Sequence, residues 1–272
     1  MTAMNHIQRP AVMFVADSHF HLRPDPAEMR RRERFVELCR LAQRAGHLVL
    51  LGDIFDFWFD YPHFRLRGYE EVLQALDGVR AAGTAIHFVG GNHDIWAADY
   101  MHERYGCGIR PPRSLLVAGG SRVMLCHGDG MFKLDWAYGA FRTLVRARAG
   151  IAVAKSLHPE ILFALSTWLS GRSRCATRDE ARVIESRAAS WLAGQPAPGP
   201  VGNPNLMGRD LTEWDLAIIG HVHHGFSIHE NGRTLAALPG WLDPLGYGVL
   251  QDGQWRQLDF DRDPTPDLAT PR

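Results

Sequence analysis

No apolar run in this chain is long enough to span a bilayer. The segment Met1–Pro10 carries no apolar signal-peptide core. Net charge is absent as well, because 30 Lys+Arg balance 30 Asp+Glu. That balance counts against a generally basic nucleic-acid binder and leaves room only for a local basic patch. Cysteine is scarce: Cys39, Cys107, Cys126 and Cys175 are scattered, without C-x-x-C spacing. A disulfide framework is therefore not expected, and buried thiols in a reducing compartment are. Internal repeats are missing. These absences point to a cytoplasmic protein. What is present is a 46% hydrophobic content over 272 residues, enough for one large core with or without an insertion. There are also 14 histidines, and their placement matters.

The apolar run Ala11–Ala16 fits a buried strand and leads into Asp17-Ser18-His19. Pro26–Ala45 has a helical stripe of Phe35, Leu38 and Leu41 opposite an arginine-rich face, and Gly46 closes it. His47–Leu51 is a second strand leading to Gly52-Asp53. Tyr69–Ala82 is a helix, and Ala85–Val89 a third strand leading to Gly90-Gly91-Asn92-His93-Asp94. This alternation indicates an α/β fold. Ser114–Val117 and Arg122–Cys126 flank a Gly119-Gly120 turn, and the second of them delivers His127-Gly128-Asp129. Asp215–Ile219 delivers Gly220-His221-Val222-His223, and hairpins follow at Asn231-Gly232 and Asp252-Gly253. Core segments are thus expected at 11–130 and 211–260. A helical insertion over 131–210 contains Trp136–Arg148, Pro159–Leu169, Asp179–Ala193 and the Pro/Gly linker Gly194–Asn205. The polar, proline-rich tail 261–272 reads as disordered.

Five strands each end in a polar cluster: Asp17/His19, Asp53, Asn92/His93, His127 and His221/His223. Ligands of open α/β sheets bind at the carboxyl ends of strands. An Asp-x-His pair alone reads as a turn or cap. Five such clusters at equivalent ends read as one site. Histidine and carboxylate suit Mn, Fe, Co, Ni or Zn, and the lack of cysteine counts against structural zinc. Two ions roughly 3.5–4 Å apart need a bridging carboxylate. Asp53 is the natural bridge, since it follows a glycine that allows close approach.

The order D-x-H, G-D, G-N-H-D, H-G-D and G-H-x-H, from about Val12 to Gly225, resembles the calcineurin-like metallophosphoesterases. The resemblance implies a four-layer αββα sandwich of two mixed sheets. It implies that Asp17, His19 and His223 ligate one metal ion, that Asn92, His127 and His221 ligate the other, and that Asp53 bridges. His93 would face the substrate phosphate or leaving group as the catalytic residue. The expected chemistry is in-line attack on phosphorus by a hydroxide that the metal pair generates, with His93 assisting departure of the leaving oxygen. Asp94 and Asp129 are candidates for orienting histidine ligands, or equally for capping loops.

Two further features bear on substrate. Phe55-Asp56-Phe57-Trp58-Phe59 follows the bridging aspartate, where aromatics such as Trp58 can line a pocket or simply pack. Between Lys133 and Arg178 stand eight Lys/Arg but only Asp135 and Glu160, interleaved with large apolar residues. That pattern fits a helical cap with a solvated face, or an amphipathic lid that binds an anionic lipid at a membrane surface. GDIFDFWFDY (Gly52–Tyr61), GNHDIW (Gly91–Trp96) and LHPEILFALSTWLSGRSR (Leu157–Arg174) resemble the UDP-2,3-diacylglucosamine hydrolases of lipid A biosynthesis. That resemblance implies diphosphate cleavage to UMP and a lipid monosaccharide phosphate, two Mn(2+) ions, and peripheral attachment to the cytoplasmic face of the inner membrane. By position in the insertion, Arg172, Arg174 and Arg178 are candidate substrate contacts, with solvated charge as the bland alternative, and the neutral net charge leads to no nucleic-acid partner being expected. Many members of that family carry arginine where His93 stands here, which admits another diphosphate or phosphodiester, or a nuclease. A non-catalytic scaffold is the remaining alternative, although every expected ligand position is filled.

Overall fold

The computed structural model describes residues 10–59, 66–110, 113–129, 150, 153–154, 156–158, 160–164, 178–194 and 213–268. Its first sheet has six strands in the order β11-β10-β1-β2-β3-β4. These are β1 (Val12–Val15), β2 (His47–Leu50), β3 (Ala85–Val89), β4 (Gly108–Arg110), β10 (Gly246–Gln251) and β11 (Gln254–Asp259). β1 to β4 run parallel, while β10 and β11 are antiparallel. The second sheet has the order β5-β6-β7-β9-β8. It contains β5 (Arg113–Ala118), β6 (Ser121–Cys126), β7 (Leu216–Ile219), β8 (Phe226–Glu230) and β9 (Arg233–Ala237). β6-β7-β9 are parallel, with antiparallel strands at both edges.

The near-continuous apolar runs of β1, β2 and β7 reflect burial on both faces, as parallel strands require. One side chain set from each sheet meets between them: Val12, Phe14, Val49 and Val89 face Val123, Leu125, Leu216 and Ile218. The outer face of the first sheet packs under α1 (Pro26–Ala42), α2 (Glu70–Ala81) and α3 (Ala98–Tyr105). The outer face of the second sheet packs under α4 (Arg178–Leu192) through Ala181, Ile184, Ala188 and Leu192. The fold is thus the expected pair of mixed sheets with helices outside. α4 falls inside the interval read as insertion, yet it forms the fourth layer of the sandwich.

Asp25 caps α1 by accepting from the Glu28 N–H at 2.8 Å, and Pro26 occupies the first helical position. The helix stops at Ala42, three residues before the expected end, because Ala45 N–H bonds back to the Ala42 carbonyl in a tight turn. α3 and β4 were not anticipated. Met101 and Tyr105 are the buried residues of α3, too few to make a readable period. The glycine hairpins form as expected: Asn231 and Asp252 take φ of +51°, followed by Gly232 and Gly253 at +74° and +76°. The tail differs from expectation as far as Leu268, which is fully buried in the first core, while Asp267 pairs with Arg44. Residues 269–272, the helix expected at Trp136–Arg148, most of Pro159–Leu169 and the linker after Gly194 lie outside the described residues.

Candidate metal centre

β1, β2 and β3 of the first sheet and β6 and β7 of the second end at one edge of the sandwich, and their following loops converge. Close approach there depends on glycine. A side chain at Gly91 would collide with the Asp53 carboxylate, and one at Gly220 would lie 2.8 Å from Asp17 Oδ2. The backbone also bends sharply. Asp17, His19, Asp53, His221 and His223 have φ between +44° and +66°. Left-handed non-glycine residues each cost about 1–3 kcal/mol and gather at functional sites. Outside the two hairpin turns, every such residue among the described ones is an expected ligand.

The donor atoms group as the sequence implied. Asp17, His19 and His223 form one set, and Asp53, His127 and His221 another, each with its ligand atoms within 4.8 Å of one another. Asp53 joins a third set with His19 and His93, so its carboxylate stands between the two groups. His127 donates from Nδ1 to the Leu51 carbonyl at 2.9 Å. Its Nε2 then lies 3.2 Å from Asp53 Oδ2 and 3.3 Å from Asn92 Oδ1. His19 Nε2 and His223 Nε2 approach to 3.1 Å. Two imidazole nitrogens that close repel unless they share a proton or an ion. Asp17 accepts from the His221 N–H at 2.9 Å and lies 3.5 Å from His223 Nε2.

Ionisation follows the same logic. Burial opposes the charge on Asp53, but His127, His93 and His19 hold it well below the usual carboxylate range. Burial likewise opposes charge on Asp17, and the His223 hydrogen bond overrides it. Both carboxylates are therefore anionic and ready to ligate. Burial lowers His19, and burial with the charge of His127 lowers His221 to about 4, so both offer neutral nitrogens. His127 is raised, because Asp53 outweighs its burial. His93 is partly buried, which opposes its charge, yet Asp53 and Asp56 push it up to about 9. Its backbone N–H, not the ring, donates to Asp53 Oδ1 at 2.9 Å.

The other expected site residues fall in different places. Asp94 does not orient a histidine. Its two oxygens accept from the N–H groups of Asp53 (3.1 Å), Gly91 (2.9 Å), Ile54 (2.8 Å) and Phe55 (3.3 Å), which ties two ligand loops together. Burial and the charge of Asp53 raise it to about 6. Asp129 is buried, and its charge acts on His127 and His221. Trp58 is buried in the first core against Phe55, Tyr69 and Tyr100, and packing accounts for it. Phe57 and Phe59 instead meet Leu162, Phe163 and Trp96, joining the loop after β2 to the insertion. Arg172 and Arg174 lie outside the described residues, and Arg178 opens α4. Asp56 was not singled out, though it faces His19, His21 and His93. The only signal for it was one carboxylate inside an otherwise aromatic run.

The donor set fits a pair of divalent ions: two carboxylates, four imidazoles and one amide, with a carboxylate shared. Residues 10–225 match the calcineurin-like phosphoesterase family. A UDP-2,3-diacylglucosamine hydrolase of Ralstonia nicotianae is 30% identical over 253 residues, covering 89% of this chain and 90% of that protein. One of Neisseria meningitidis serogroup B is 28% identical over 247 residues, covering 88% and 93%. The match to one of Porphyromonas gingivalis is 28% over 169 residues, and the chain spans 64% of that protein's length. Among solved structures, an archaeal phosphodiesterase aligns with a TM-score of 0.45 and 9% identity over 91% of this chain and 98% of that one. The family match and the ligand geometry agree: this chain belongs to the calcineurin-like phosphoesterases and is a metal-dependent hydrolase similar to UDP-2,3-diacylglucosamine hydrolases.

Proposed function

We propose that the chain hydrolyses the diphosphate of UDP-2,3-diacylglucosamine, releasing UMP and a lipid monosaccharide phosphate. The observation that carries this reading is similarity to hydrolases of that name across 89% of the chain, insertion included. The aromatic loop adds support. Phe57 and Phe59 hold the insertion beside Asp53, which brings apolar residues next to a phosphate site.

Asp17, His19 and His223 would hold one ion, Asn92, His127 and His221 the other, and Asp53 both. Such ions, Mn(2+) in this proposal, supply positive charge for the diphosphate and acidify a bound water. The chain's own residues do the rest. The His93 ring, raised by Asp53 and Asp56, clusters with Asp53 and His19 and is the candidate donor of a proton to the leaving phosphate oxygen. Asp94 fixes the backbone that carries Asp53, so the reacting geometry costs no rearrangement. The enzyme would work in the cytoplasm, peripherally on the inner membrane, on an anionic nucleotide-lipid. Among the described residues no helix is long and apolar enough to cross a membrane. Ile161 and Val153 of the insertion expose apolar surface that suits a lipid contact.

His93 favours a second reading, a related enzyme acting on another diphosphate or phosphodiester. Turnover of UDP-2,3-diacylglucosamine, bis-p-nitrophenyl phosphate and single-stranded DNA, measured side by side with Mn(2+), separates the readings. UMP release well above the other two rates is expected. Preference for DNA would sink the lipid substrate.

A further inference from the structure

Where β1 runs into the metal loop, three consecutive carbonyls, those of Ala16, Asp17 and Ser18, are held by two residues from elsewhere in the chain. Trp241, in the connection from β9 to β10, donates its main-chain N–H to Ala16 at 3.1 Å and to Asp17 at 3.2 Å. Arg31 of α1 donates from Nη1 to Ser18 at 2.8 Å. These two residues also lock each other. Arg31 Nη1 donates to the Trp241 carbonyl at 3.0 Å, and Trp241 Nε1 donates to the Arg31 carbonyl at 3.1 Å. Trp241 is fully buried, edge to face with Phe35 of α1 and tilted against Phe260. Glu28 Oε2, 3.9 Å from Arg31 Nη2, offsets the guanidinium charge. The residue before Trp241 adds a third contact. A Cβ on Gly240, whose φ is +83°, would lie 3.3 Å from Asp17 Cβ and 3.8 Å from His223 Cα, so the connection runs against both residues.

We propose that Arg31 and Trp241 are positioning residues that aim the ligands of the first proposed ion. Asp17 and His19 both have left-handed backbones, with φ of +52° and +44°, and Ser18 lies between them. Because a peptide unit is planar, a rotation of the Asp17–Ser18 or Ser18–His19 plane swings the carboxylate or the imidazole with it. A donor on each carbonyl stops that rotation and holds the strained turn in place. All three residues of the set meet the lock: Asp17 through its own carbonyl, His19 through the Ser18 peptide, and His223 through Gly240. Among the described residues, the hydrogen bonds of Arg31 and Trp241 reach none of Asn92, His127 and His221. The lock therefore serves one ion of the pair. The inference rests on the two-ion reading of the site and not on the identity of the substrate.

Calorimetric addition of Mn(2+) alone to the chelator-stripped protein tests this, with His223→Ala marking the equivalent that the first set holds. Arg31→Met is expected to weaken that equivalent about 10–100-fold, the usual cost of losing a group that orients metal ligands, and to leave the other unchanged. The sign is diagnostic. Removing a cation from the neighbourhood of a metal ion tightens binding if charge alone acts, whereas loss of aim weakens it. Unchanged or tighter binding, or equal weakening of both equivalents, would overturn the proposal. Arg31→Lys keeps the charge and a donor and is expected to recover part of the affinity. If Arg31→Met does not fold, Trp241→Phe keeps the buried ring and loses only the Nε1 donor; it should weaken the first equivalent several-fold, and no change there refutes the lock. Thr84→Val serves as the control for mere stability, because the Thr84 hydroxyl donates to the Ala42 and Ala45 carbonyls at the far end of the same helix. It should lower the melting point and spare both Mn(2+) affinities; selective weakening of the first equivalent there would reduce Arg31 to a structural role. Wild type that takes up fewer than two equivalents would overturn the two-ion reading and this proposal with it, an outcome distinct from failure in the variants alone.

Discussion

The two sheets contribute to the site in different ways. The first supplies both carboxylates, the amide, His19 and His93, on loops braced by buried charge. Asp94 holds four backbone N–H groups. Glu28 of α1 accepts from the His21 N–H at 2.8 Å and pairs with Arg32, which also donates to the Gly68 carbonyl. The second sheet supplies only imidazoles, His127, His221 and His223, on loops braced by backbone. Gly220 N–H donates to His127 at 2.9 Å, and the His221 N–H turns to Asp17 of the first sheet. Each proposed ion takes ligands from both sheets. The first sheet therefore carries a preformed anionic half of the site, and the second leans on it.

Four measurements can break or sharpen that contrast. Asp53→Asn should have the largest effect, a loss of kcat on the order of 10³-fold with metal lost, since it removes charge aimed at the reacting phosphate. Full activity with both ions retained, by metal analysis and steady-state kinetics, would dismiss the bridge. Asp94→Ala should destabilise the fold by about 3–5 kcal/mol in urea unfolding, because four buried donors lose their acceptor. A loss below about 1 kcal/mol would mean that the first sheet's loops do not depend on its buried charge. Saturating Mn(2+), at roughly a hundred times its dissociation constant, should add about 2.7 kcal/mol to stability, and EDTA should reverse it. A melting point indifferent to both would show that the ions do not tie the sheets together.

The smallest effect concerns Glu28. Burial opposes its charge, but His21 and Arg32 hold its carboxyl below the ordinary value of 4.5. A lowered folded value means that its stabilisation is complete above the unfolded value and fades as pH falls through the folded one. Wild type should therefore be more stable than Glu28→Gln near neutrality, and the gap should close on acidification below 4.5. A gap that persists at low pH would assign the effect to packing instead of charge.

The ligands were legible because each closes an apolar strand run, and a strand's end is readable from hydrophobic pattern alone. His19 and His223 each stand two residues past an earlier ligand, Asp17 and His221, still within the motif. α3 and β4 were not legible, for lack of period. Nor was Asp56, whose partners come from a different loop and from the register of β1 on β2. The aromatic run misled in part: Phe55 and Trp58 turn into one core, while Phe57 and Phe59 turn to the insertion. Local pattern cannot assign the face of a loop residue.

By itself, then, the sequence determined the alternation of strands and helices and the polar clusters that end the strands, and its resemblance to the phosphoesterases implied the reaction class and the seven donors. Only the tertiary structure decided how closely those donors approach one another, that Asp94 braces backbone and not a histidine, and that Asp56 faces both His19 and His93. The physical reason is distance. His19 and His223 stand 204 residues apart in sequence and 3.1 Å apart in space, and no local periodicity encodes a meeting of two sheets.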